Sequence, residues 1–407
     1  MAGPLDDITV LEVANWVAAP SCGVLMADMG AQVIKVEPLA GDSMRGKLRQ
    51  PSGPEHLVAI DVPFHLDNRG KQSIAVDLAD PRGGELVREL AVRADVVITN
   101  LLPGRLSRYG LAPEQVLAAN PAVVYGLVTG YGTSGEDADR IAFDLTAFFG
   151  RGAIMSLVGE ADSPPPSFRP GQGDHPTGLA LLVAVLAALR VRDRTGVGQV
   201  VEAALLRTAA WTIGCDVSAA LVDKKQPSKR GRDKALSPIN TRYQMGDGSW
   251  VVLSARDTEQ WTGFCNAIGR PDLASDDRFD TPLKRYRNGP ELMGILDDHF
   301  ATKPLEHWAP LLDRSKVVWA KVAELTDLIV DPAARRMGMF TEIDHPEAGR
   351  FETMTAPFSL SGSDVAVRGP APGVGQHTGE VLRRLGIGQD RIDELAAAGV
   401  LGGNTQA

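Results

Sequence analysis

Cysteine is scarce in this chain, and paired metal ligands are missing. The three cysteines among 407 residues, Cys22, Cys215 and Cys265, lie too far apart to form a metal site with each other. Their odd number argues against a disulfide framework and favours a reducing compartment. The seven histidines include no His-x-x-x-His pair. The sequence therefore predicts no metal site.

Long apolar runs and an excess of positive charge are also missing. No basic region followed by an apolar run occurs at the start, and the uncharged stretch at residues 179–189 is shorter than the roughly 20 residues that cross a bilayer. The formal net charge of −9 argues against a general nucleic-acid-binding protein. We expect a soluble cytoplasmic protein with neither a membrane nor a nucleic acid as its partner.

The first hundred residues alternate short β-branched segments with longer amphipathic ones. The pattern predicts strands at 8–13, 33–36, 73–76 and 96–99, and helices at 19–29 and 82–94. This order indicates an α/β fold with a largely parallel sheet. The turn after the first strand lacks the G-x-G-x-x-G that binds a pyrophosphate, which argues against ordinary dinucleotide binding. Glu37 is therefore expected at a solvated strand end.

The remaining chain predicts further elements and one polar, basic segment. Helices are expected at 176–192 and up to residue 212, with a strand at 199–202 between them. The basic segment, which includes Arg230, Arg232 and Lys234, is either a solvated connection or a flap that attracts phosphate. A hairpin is expected at 241–255 around Gly246-Asp247-Gly248, then an α-rich region to about 334. The predicted end of the chain has strands at 340–343 and 353–357 and helices at 378–385 and 390–398.

One carboxylate lies at the start of the apolar helix. The segment GDHPTG at residues 173–178 combines turn-forming glycines with a proline suited to a first helical turn. Asp174 could cap this helix by accepting a backbone N–H, or it could be a nucleophile. The local sequence leaves both hypotheses open.

Five places in the chain together resemble the class III CoA-transferase family, which includes formyl-CoA transferases, carnitine CoA-transferases and α-methylacyl-CoA racemases. They are PLDDITVLE from Pro4 with ADMGAQVIKVEP from Ala27, NLLPGRL from Asn100, Gly173-Asp174 with its helix, RTGVGQ from Arg194, and PAPGVGQHT from Pro370. Each motif is short, but their order along nearly the whole chain is specific.

The resemblance implies an α/β architecture with two domains. A Rossmann-like large CoA-binding domain would be formed by residues 1–222, a basic linker by 223–236, and a smaller inserted α/β domain by 237–335. Residues 336–407 would be a linker and a tail that returns to the large domain. The resemblance also implies an interlocked homodimer.

The resemblance further implies a transferase that moves CoA from an acyl-CoA donor to a carboxylic acid acceptor, with CoA as substrate and no permanently bound cofactor. Asp174 matches the family's nucleophile, which would form a mixed anhydride and then an aspartyl-CoA thioester. An ordinary aspartate is ionised at neutral pH, so we expect it to need orientation rather than a base. The candidate CoA contacts are Arg108, Arg105, Asn100, Leu102, Lys71 and Arg45, with Val17 and Ala18 near the thioester.

Two departures from the family narrow the expected activity. Family racemases carry a histidine before an aspartate, whereas this chain has Phe143-Asp144, and phenylalanine exchanges no proton. The run of consecutive glycines that covers the formyl-transferase site is also missing. The alternatives are an acyl-CoA isomerase or racemase and a catalytically silent acyl-CoA-binding relative. A role for His175 stays open. Trp16, Phe148, Phe149 and Met155 are either an acyl pocket or core residues.

Overall fold

The computed structural model describes residues 2–47, 61–229, 231–232, 237–254, 258–315 and 317–406. Arg230 and Lys234 of the basic segment lie outside the described residues. The chain divides into two compact units. The first comprises Met1–Ile154, Ser167–Val222 and Ala333–Ala407, and the second comprises Met155–Pro166 and Asp223–Pro332.

The helices and strands follow in chain order. As far as Asp223 they are β1 (Thr9–Val13), α1 (Ala18–Asp28), β2 (Gln32–Glu37), α2 (Val62–Asn68), β3 (Gln72–Val76), α3 (Pro81–Arg93), β4 (Val96–Thr99), α4 (Pro103–Tyr109), α5 (Pro113–Ala119), β5 (Val124–Thr129), a π-helix (Leu145–Arg151), α6 (Ile154–Leu157), α7 (Asp174–Thr195), β6 (Val200–Ala204), α8 (Leu205–Thr212) and α9 (Gly214–Asp223). They continue with β7 (Arg242–Gln244), β8 (Trp250–Ser254), α10 (Thr258–Ala267), α11 (Pro271–Ser275), α12 (Pro282–Arg287), α13 (Gly289–Phe300), α14 (Leu305–Arg314), β9 (Val318–Lys321), α15 (Leu325–Leu328) and α16 (Pro332–Arg336). The last are β10 (Phe340–His345), β11 (Gly349–Met354), α17 (Thr378–Arg384), α18 (Gln389–Ala397) and β12 (Leu401–Gly402).

A seven-stranded sheet organises the first unit. Its strand order is β12-β3-β2-β1-β4-β5-β6, and all neighbouring strands are parallel except β12, which is antiparallel to β3. The prediction of an α/β fold with a mainly parallel sheet is confirmed. The order reverses between β1 and β4, and in open α/β sheets ligands bind in the crevice at the carboxyl ends of the strands at such a point.

Both faces of this sheet are buried, which explains its strongly apolar strands. In β1, Leu11 and Val13 pack into one core with helices α3, α5 and α17, whereas Val10 faces a second core with α1 and α7. This alternation is the two-residue period of a strand. Strand β5, which the sequence reading missed, is buried over five of its six residues.

Helix α7 is fixed against α1 by a close backbone contact. A Cβ atom at Gly178 would lie 2.6 Å from the carbonyl oxygen of Ala18, so glycine is required for this approach. Leu181, Val185 and Leu189 are buried on the same helix. Within the described ranges, α7 is long and apolar enough to cross a bilayer, and the bent pair α8–α9 passes the same test when counted as one span. Seven of the 22 residues of α7 are buried, and the apolar ones pack in the second core.

The second unit contains the predicted hairpin. Strands β7 and β8 pair antiparallel, and β9 adds a third antiparallel strand on the other side of β8. Two basic residues of the preceding segment are engaged within this unit, since Arg232 pairs with Asp297 and Lys229 donates to the carbonyl of Ser163 at 2.9 Å.

One predicted strand near the end of the chain is misplaced. The structure has a strand at Gly349–Met354 where the sequence reading expected one at 353–357. Arg350 and Glu352 are charged but point outward, so the true strand looks polar in the sequence. The apparent strand ends at Pro357, which cannot donate a ladder hydrogen bond.

Candidate active site

A cavity of about 380 Å³ lies in the first unit beside the ends of β1, β4 and β5. Asp174 lines it at the start of α7. Four other predicted site residues share the cavity wall, namely Val17, Ala18, Asn100 and Leu102. The fold therefore brings together residues that are up to 157 positions apart in the sequence.

Asp174 does not act as a helix cap in this structure. The N-cap residue of α7 is Gly173, and no side chain makes a capping hydrogen bond there. Burial, and next the nearby carboxylate of Asp144, raise the pKa of Asp174 to about 7, while His175 acts in the opposite direction. The expectation of an ordinary, fully ionised aspartate at neutral pH is wrong, because the sequence does not show burial.

The turn before Asp174 is held by Asp144. One oxygen of this buried carboxylate, Oδ2, accepts the N–H groups of Gly171 at 2.8 Å and of Gly173 at 3.3 Å. The ring of Phe148 packs so closely that a Cβ at Gly173 would lie 2.6 Å from it. Asp144 therefore both fixes the turn and places a like charge near Asp174. In the sequence, Asp144 stands out only as the neighbour of Phe143.

His175 faces away from the cavity and binds a second carboxylate. Its Nε2 lies 3.1 Å from Oδ1 of Asp67, which is buried. Burial alone would lower the pKa of His175, but the carboxylates of Asp67 and Asp174 outweigh burial and raise it. The imidazole beside Asp174 in the chain therefore binds a proton more readily than an ordinary histidine does.

The loop between β1 and α1 contributes Trp16 and Val17 to the cavity wall. The side-chain amide of Asn100 binds both backbone groups of Asn15: Oδ1 accepts its N–H at 3.1 Å, and Nδ2 donates to its carbonyl at 2.6 Å. Asn100 thus lines the cavity while its amide holds the loop. The next residue, Trp16, has φ 67° and contacts Phe143 edge to face, with ring centroids 5.3 Å apart.

Lys71 does not present its charge to the cavity. Its side chain is fully buried, and Nζ binds the carboxylate of Glu12 at 2.7 Å, the carbonyl of Pro20 at 2.9 Å and Oδ1 of Asn68 at 3.1 Å. Burial lowers the pKa of Lys71 to about 8. Lys35 binds the other oxygen of Glu12 at 3.0 Å. This placement argues against the expected phosphate contact, and Lys71 instead neutralises a buried carboxylate.

Arg45 is also committed elsewhere. Its guanidinium forms a forked pair with Glu37 at 2.7 and 2.8 Å, and donates to the carbonyl of Pro372 at 2.9 Å. Glu37 is 1% exposed, so the expectation of a solvated strand end is wrong. Arg45 and Lys71 line a different cavity, of about 590 Å³, in which Asp174 has no part.

Arg105 and Arg108 lie on the short helix α4, and both are exposed. Arg105 lines a third cavity, of about 370 Å³, at the carboxyl ends of β1, β2 and β3. Leu101 belongs to the walls of both this cavity and the one that contains Asp174. Within the described part of the chain, no carboxylate pairs with either guanidinium.

Of the four residues predicted as either an acyl pocket or core residues, three do not line the cavity of Asp174. Trp16 lines the cavity of Asp174. Phe148 and Phe149 are buried, and Phe149 stacks on Phe168 with centroids 4.1 Å apart. Met155 belongs to the second unit. Phe143, which the sequence does not mark as a pocket residue, lines the cavity and is 48% exposed.

The sequence matches the model of CoA-transferase family III over residues 5–378. The chain belongs to this family. It is therefore a transferase that acts on CoA thioesters, and the resemblance stated from the five motifs is confirmed. Among the described residues, no group of three or more His, Cys, Asp or Glu side chains is arranged to hold a metal ion.

Curated relatives match over nearly their whole length. The chain is 30% identical to the (R)-2-hydroxy-4-methylpentanoate CoA-transferase of Clostridioides difficile, covering 96% of this chain and 98% of the relative. It is 33% identical to the succinyl-CoA:mesaconate CoA-transferase of Haloarcula hispanica (95% and 97%) and 30% identical to the succinyl-CoA:glutarate CoA-transferase of Mus musculus (98% and 90%).

A solved structure supports the same fold. The crystal structure of a CAIB/BAIF family protein from Brucella suis superimposes with a TM-score of 0.84 at 30% identity, covering 95% of this chain and 100% of that one. Family membership and fold class thus agree with each other, and the α/β sheet described above is the family's fold.

Proposed function

We propose that this family III enzyme transfers CoA from an acyl-CoA to a carboxylic acid through covalent intermediates on Asp174. The observation that carries the proposal is the combination of the location, the hydrogen bonding and the pKa of this carboxylate. It lines a cavity, it makes no capping hydrogen bond, and its pKa of about 7 leaves it partly ionised at neutral pH. A desolvated carboxylate without a firm partner is a stronger nucleophile than a solvated one.

Four acyl transfers would complete the reaction. The Asp174 carboxylate attacks the thioester carbonyl of the donor, which gives a mixed anhydride and releases CoA thiolate. The thiolate attacks the aspartyl carbonyl, which gives an aspartyl-CoA thioester and releases the donor acid. The acceptor carboxylate attacks this thioester to give a second anhydride and CoA thiolate. The thiolate then attacks the acceptor carbonyl, so acyl-CoA leaves and Asp174 is restored. No step consumes or releases a proton.

The surroundings of Asp174 suit this sequence of anions. The N-terminal end of the α7 dipole favours negative charge at this point, and the nearby imidazole of His175 lowers the pKa of Asp174. Asp144 keeps the turn fixed while the charge on Asp174 changes. His175 is thus proposed to act through its charge, since the mechanism requires no general base.

CoA would lie across the two adjoining cavities. Its thioester end would enter beside Val17 and Ala18, past Asn100 and Leu102. Its phosphates would meet Arg105, at the neighbouring cavity that shares the wall of Leu101, and Arg108 one turn further along α4. Lys71 and Arg45 have no place in this proposal, because carboxylates already bind them.

The relatives are named for aliphatic substrates, such as succinyl-CoA with mesaconate or glutarate, and for aryl ones, such as cinnamoyl-CoA with phenyllactate. We propose an aliphatic or aryl carboxylic acid as acceptor here. A racemase is disfavoured because Phe143, which lines the cavity, cannot exchange a proton with an α-carbon.

We also propose a cytoplasmic homodimer with a Rossmann-like large domain and an inserted small domain. Exposed apolar side chains support the dimer: Trp211 is 86% exposed and Val222 84%, and α9 buries none of its residues in the single chain. Light scattering coupled to size-exclusion chromatography tests the dimer. A monomer at micromolar concentration would contradict it.

Trapping with hydroxylamine tests the covalent mechanism. The enzyme is incubated with acyl-CoA and hydroxylamine, and its peptides are then analysed by mass spectrometry. We expect an aspartyl hydroxamate at Asp174, because hydroxylamine attacks the enzyme thioester, and no exchange of CoA between acids in Asp174→Ala. The matched control is Asp80→Asn, since Asp80 does cap a helix, α3. Full exchange by Asp174→Ala would refute the mechanism.

A further inference from the structure

Trp16 holds a backbone conformation that side chains with a Cβ rarely adopt. Its φ is 67°, in the left-handed region where glycine is favoured. A residue is kept there only when its surroundings determine the conformation, and such residues concentrate at functional sites.

The surrounding side chains bind four backbone groups of the loop. Lys35 Nζ donates to the carbonyl of Ala14 at 3.1 Å, and Asn100 binds both backbone groups of Asn15. Oδ1 of Asp42, which is buried, accepts the N–H of Trp16 at 3.0 Å. Lys35 also pairs with Oδ2 of Asp42 at 2.7 Å. The buried ion pairs thus fix the conformation of Trp16.

This backbone conformation determines where the indole ring of Trp16 lies. The ring meets Phe143 edge to face and lines the same cavity as Asp174. Glycine would take this backbone without strain, so the feature gained by having tryptophan here is the ring itself. Trp16 is 36% exposed and Phe143 48%, so both rings are partly accessible to solvent in the single chain.

The groups around this pair favour an apolar ligand. Met44, Val128, Leu145 and Leu205 also line the cavity. The anionic groups of the cavity are Asp144 and Asp174. Arg140 is the one cation among the described lining residues, and it already pairs with Asp137 at 3.2 Å and lies over the ring of Tyr131. A second carboxylate on the acyl group would find carboxylates and apolar surface instead of a free cation.

We propose that Trp16, fixed by Asp42, forms with Phe143 the specificity wall of this enzyme and selects acyl groups with a branched aliphatic or aryl tail over dicarboxylic ones. The proposal rests on the proposed function for the identity of the ligand as an acyl-CoA, and it names the class of acyl group which that site takes.

Binding of two unreactive thioethers of CoA tests the selectivity without turnover. One carries a 4-methylpentyl group and the other a 3-carboxypropyl group, and isothermal titration gives Kd for each. We expect the native enzyme to bind the methylpentyl compound at least about tenfold more tightly, the discrimination that one well-packed apolar contact supplies. Trp16→Ala and Trp16→Gly should lose most of this ratio. Trp250→Ala is the control, since Trp250 is 37% exposed and lies in the second unit.

Thermal unfolding of the same variants tests the strained backbone. Both Trp16 variants lack the ring, but only glycine relieves the left-handed conformation, so Trp16→Gly should have the higher Tm. Trp16→Phe keeps a ring at this position if the smaller residues impair folding, and it should retain part of the Kd ratio.

The outcomes separate this proposal from the covalent mechanism. Equal affinities of the native enzyme for the two thioethers, or an unchanged ratio in the Trp16 variants, would overturn the specificity wall. A missing hydroxamate at Asp174 would overturn the mechanism and leave the binding ratios standing. Equal Tm values for Trp16→Ala and Trp16→Gly would show that the backbone at residue 16 is not strained.

Discussion

The replacement Asp144→Asn should shift the pH dependence of the reaction toward lower pH. Both N–H groups of the turn are accepted by a single oxygen of Asp144, and the carbonyl oxygen of asparagine can accept both in the same way. The variant therefore keeps the turn and removes the like charge that, after burial, raises the pKa of Asp174. Burial remains, so the pKa of Asp174 should fall but stay above its ordinary value.

The size of the effect follows from the ionised fraction of Asp174. With a pKa of about 7, roughly a tenth of the free enzyme is ionised at pH 6 and nine tenths at pH 8, so kcat/KM should rise about tenfold between them. In Asp144→Asn this rise should shrink to less than about fivefold, because more of the carboxylate is already ionised at pH 6.

The assay is the initial rate of CoA exchange at low acyl-CoA concentration, measured from pH 5.5 to pH 8.5 in a buffer series of about constant ionic strength. The same donor and acceptor are used for every protein, so titration of the substrates cancels in the comparison. Asp80→Asn is the control and should follow the native profile. A flat native profile, or an Asp144→Asn profile displaced to higher pH, would refute the reasoning.

Two further predictions concern other charged groups. Lys71→Met should lower the free energy of unfolding by about 3 kcal/mol, because it leaves the buried Glu12 with one cation instead of two. Arg105→Met, at an exposed position, should instead weaken CoA binding without changing stability. Denaturant titration measures the stability of each variant and calorimetry its affinity for CoA, and the reverse pattern would contradict these roles. Because the pKa of Asp174 is raised, its contribution to stability is complete below about 3.9 and is lost as pH rises through about 7. The Tm of Asp174→Asn should therefore exceed that of the native enzyme by more at pH 8 than at pH 5. An equal Tm difference at the two pH values would show that the fold does not raise the pKa of Asp174.

The parallel sheet could be predicted because each strand leaves a local signal. β-Branched residues mark β1 to β4, and the two-sided burial of the sheet makes those segments apolar throughout. The position of Asp174 at the head of α7 also follows from local residues, since the glycines and proline around it are typical of a helix start. These inferences needed no contact between distant parts of the chain.

The misjudged site residues depend on such distant contacts. Lys71 follows a polar turn and looks exposed, but its partner Glu12 lies 59 residues earlier. The pKa of Asp174 depends on burial and on Asp144, whose hydrogen bonds to the turn span 27 and 29 residues. A single sequence shows which residues can ionise, but it does not show which of them the fold removes from water.

The contact at Gly178 separates the position of the attacking carboxylate from the choice of substrate acid, two properties that substitutions near an active site usually change together. Since main-chain atoms set the spacing of α7 and α1, the place of the attacking oxygen does not depend on the size of the side chains around the acyl group. Substitutions at the cavity wall can then change which acid is accepted while the reactive geometry stays constant. A scaffold of this kind can diversify in substrate range one side chain at a time, and directed evolution toward new acids should leave residue 178 untouched.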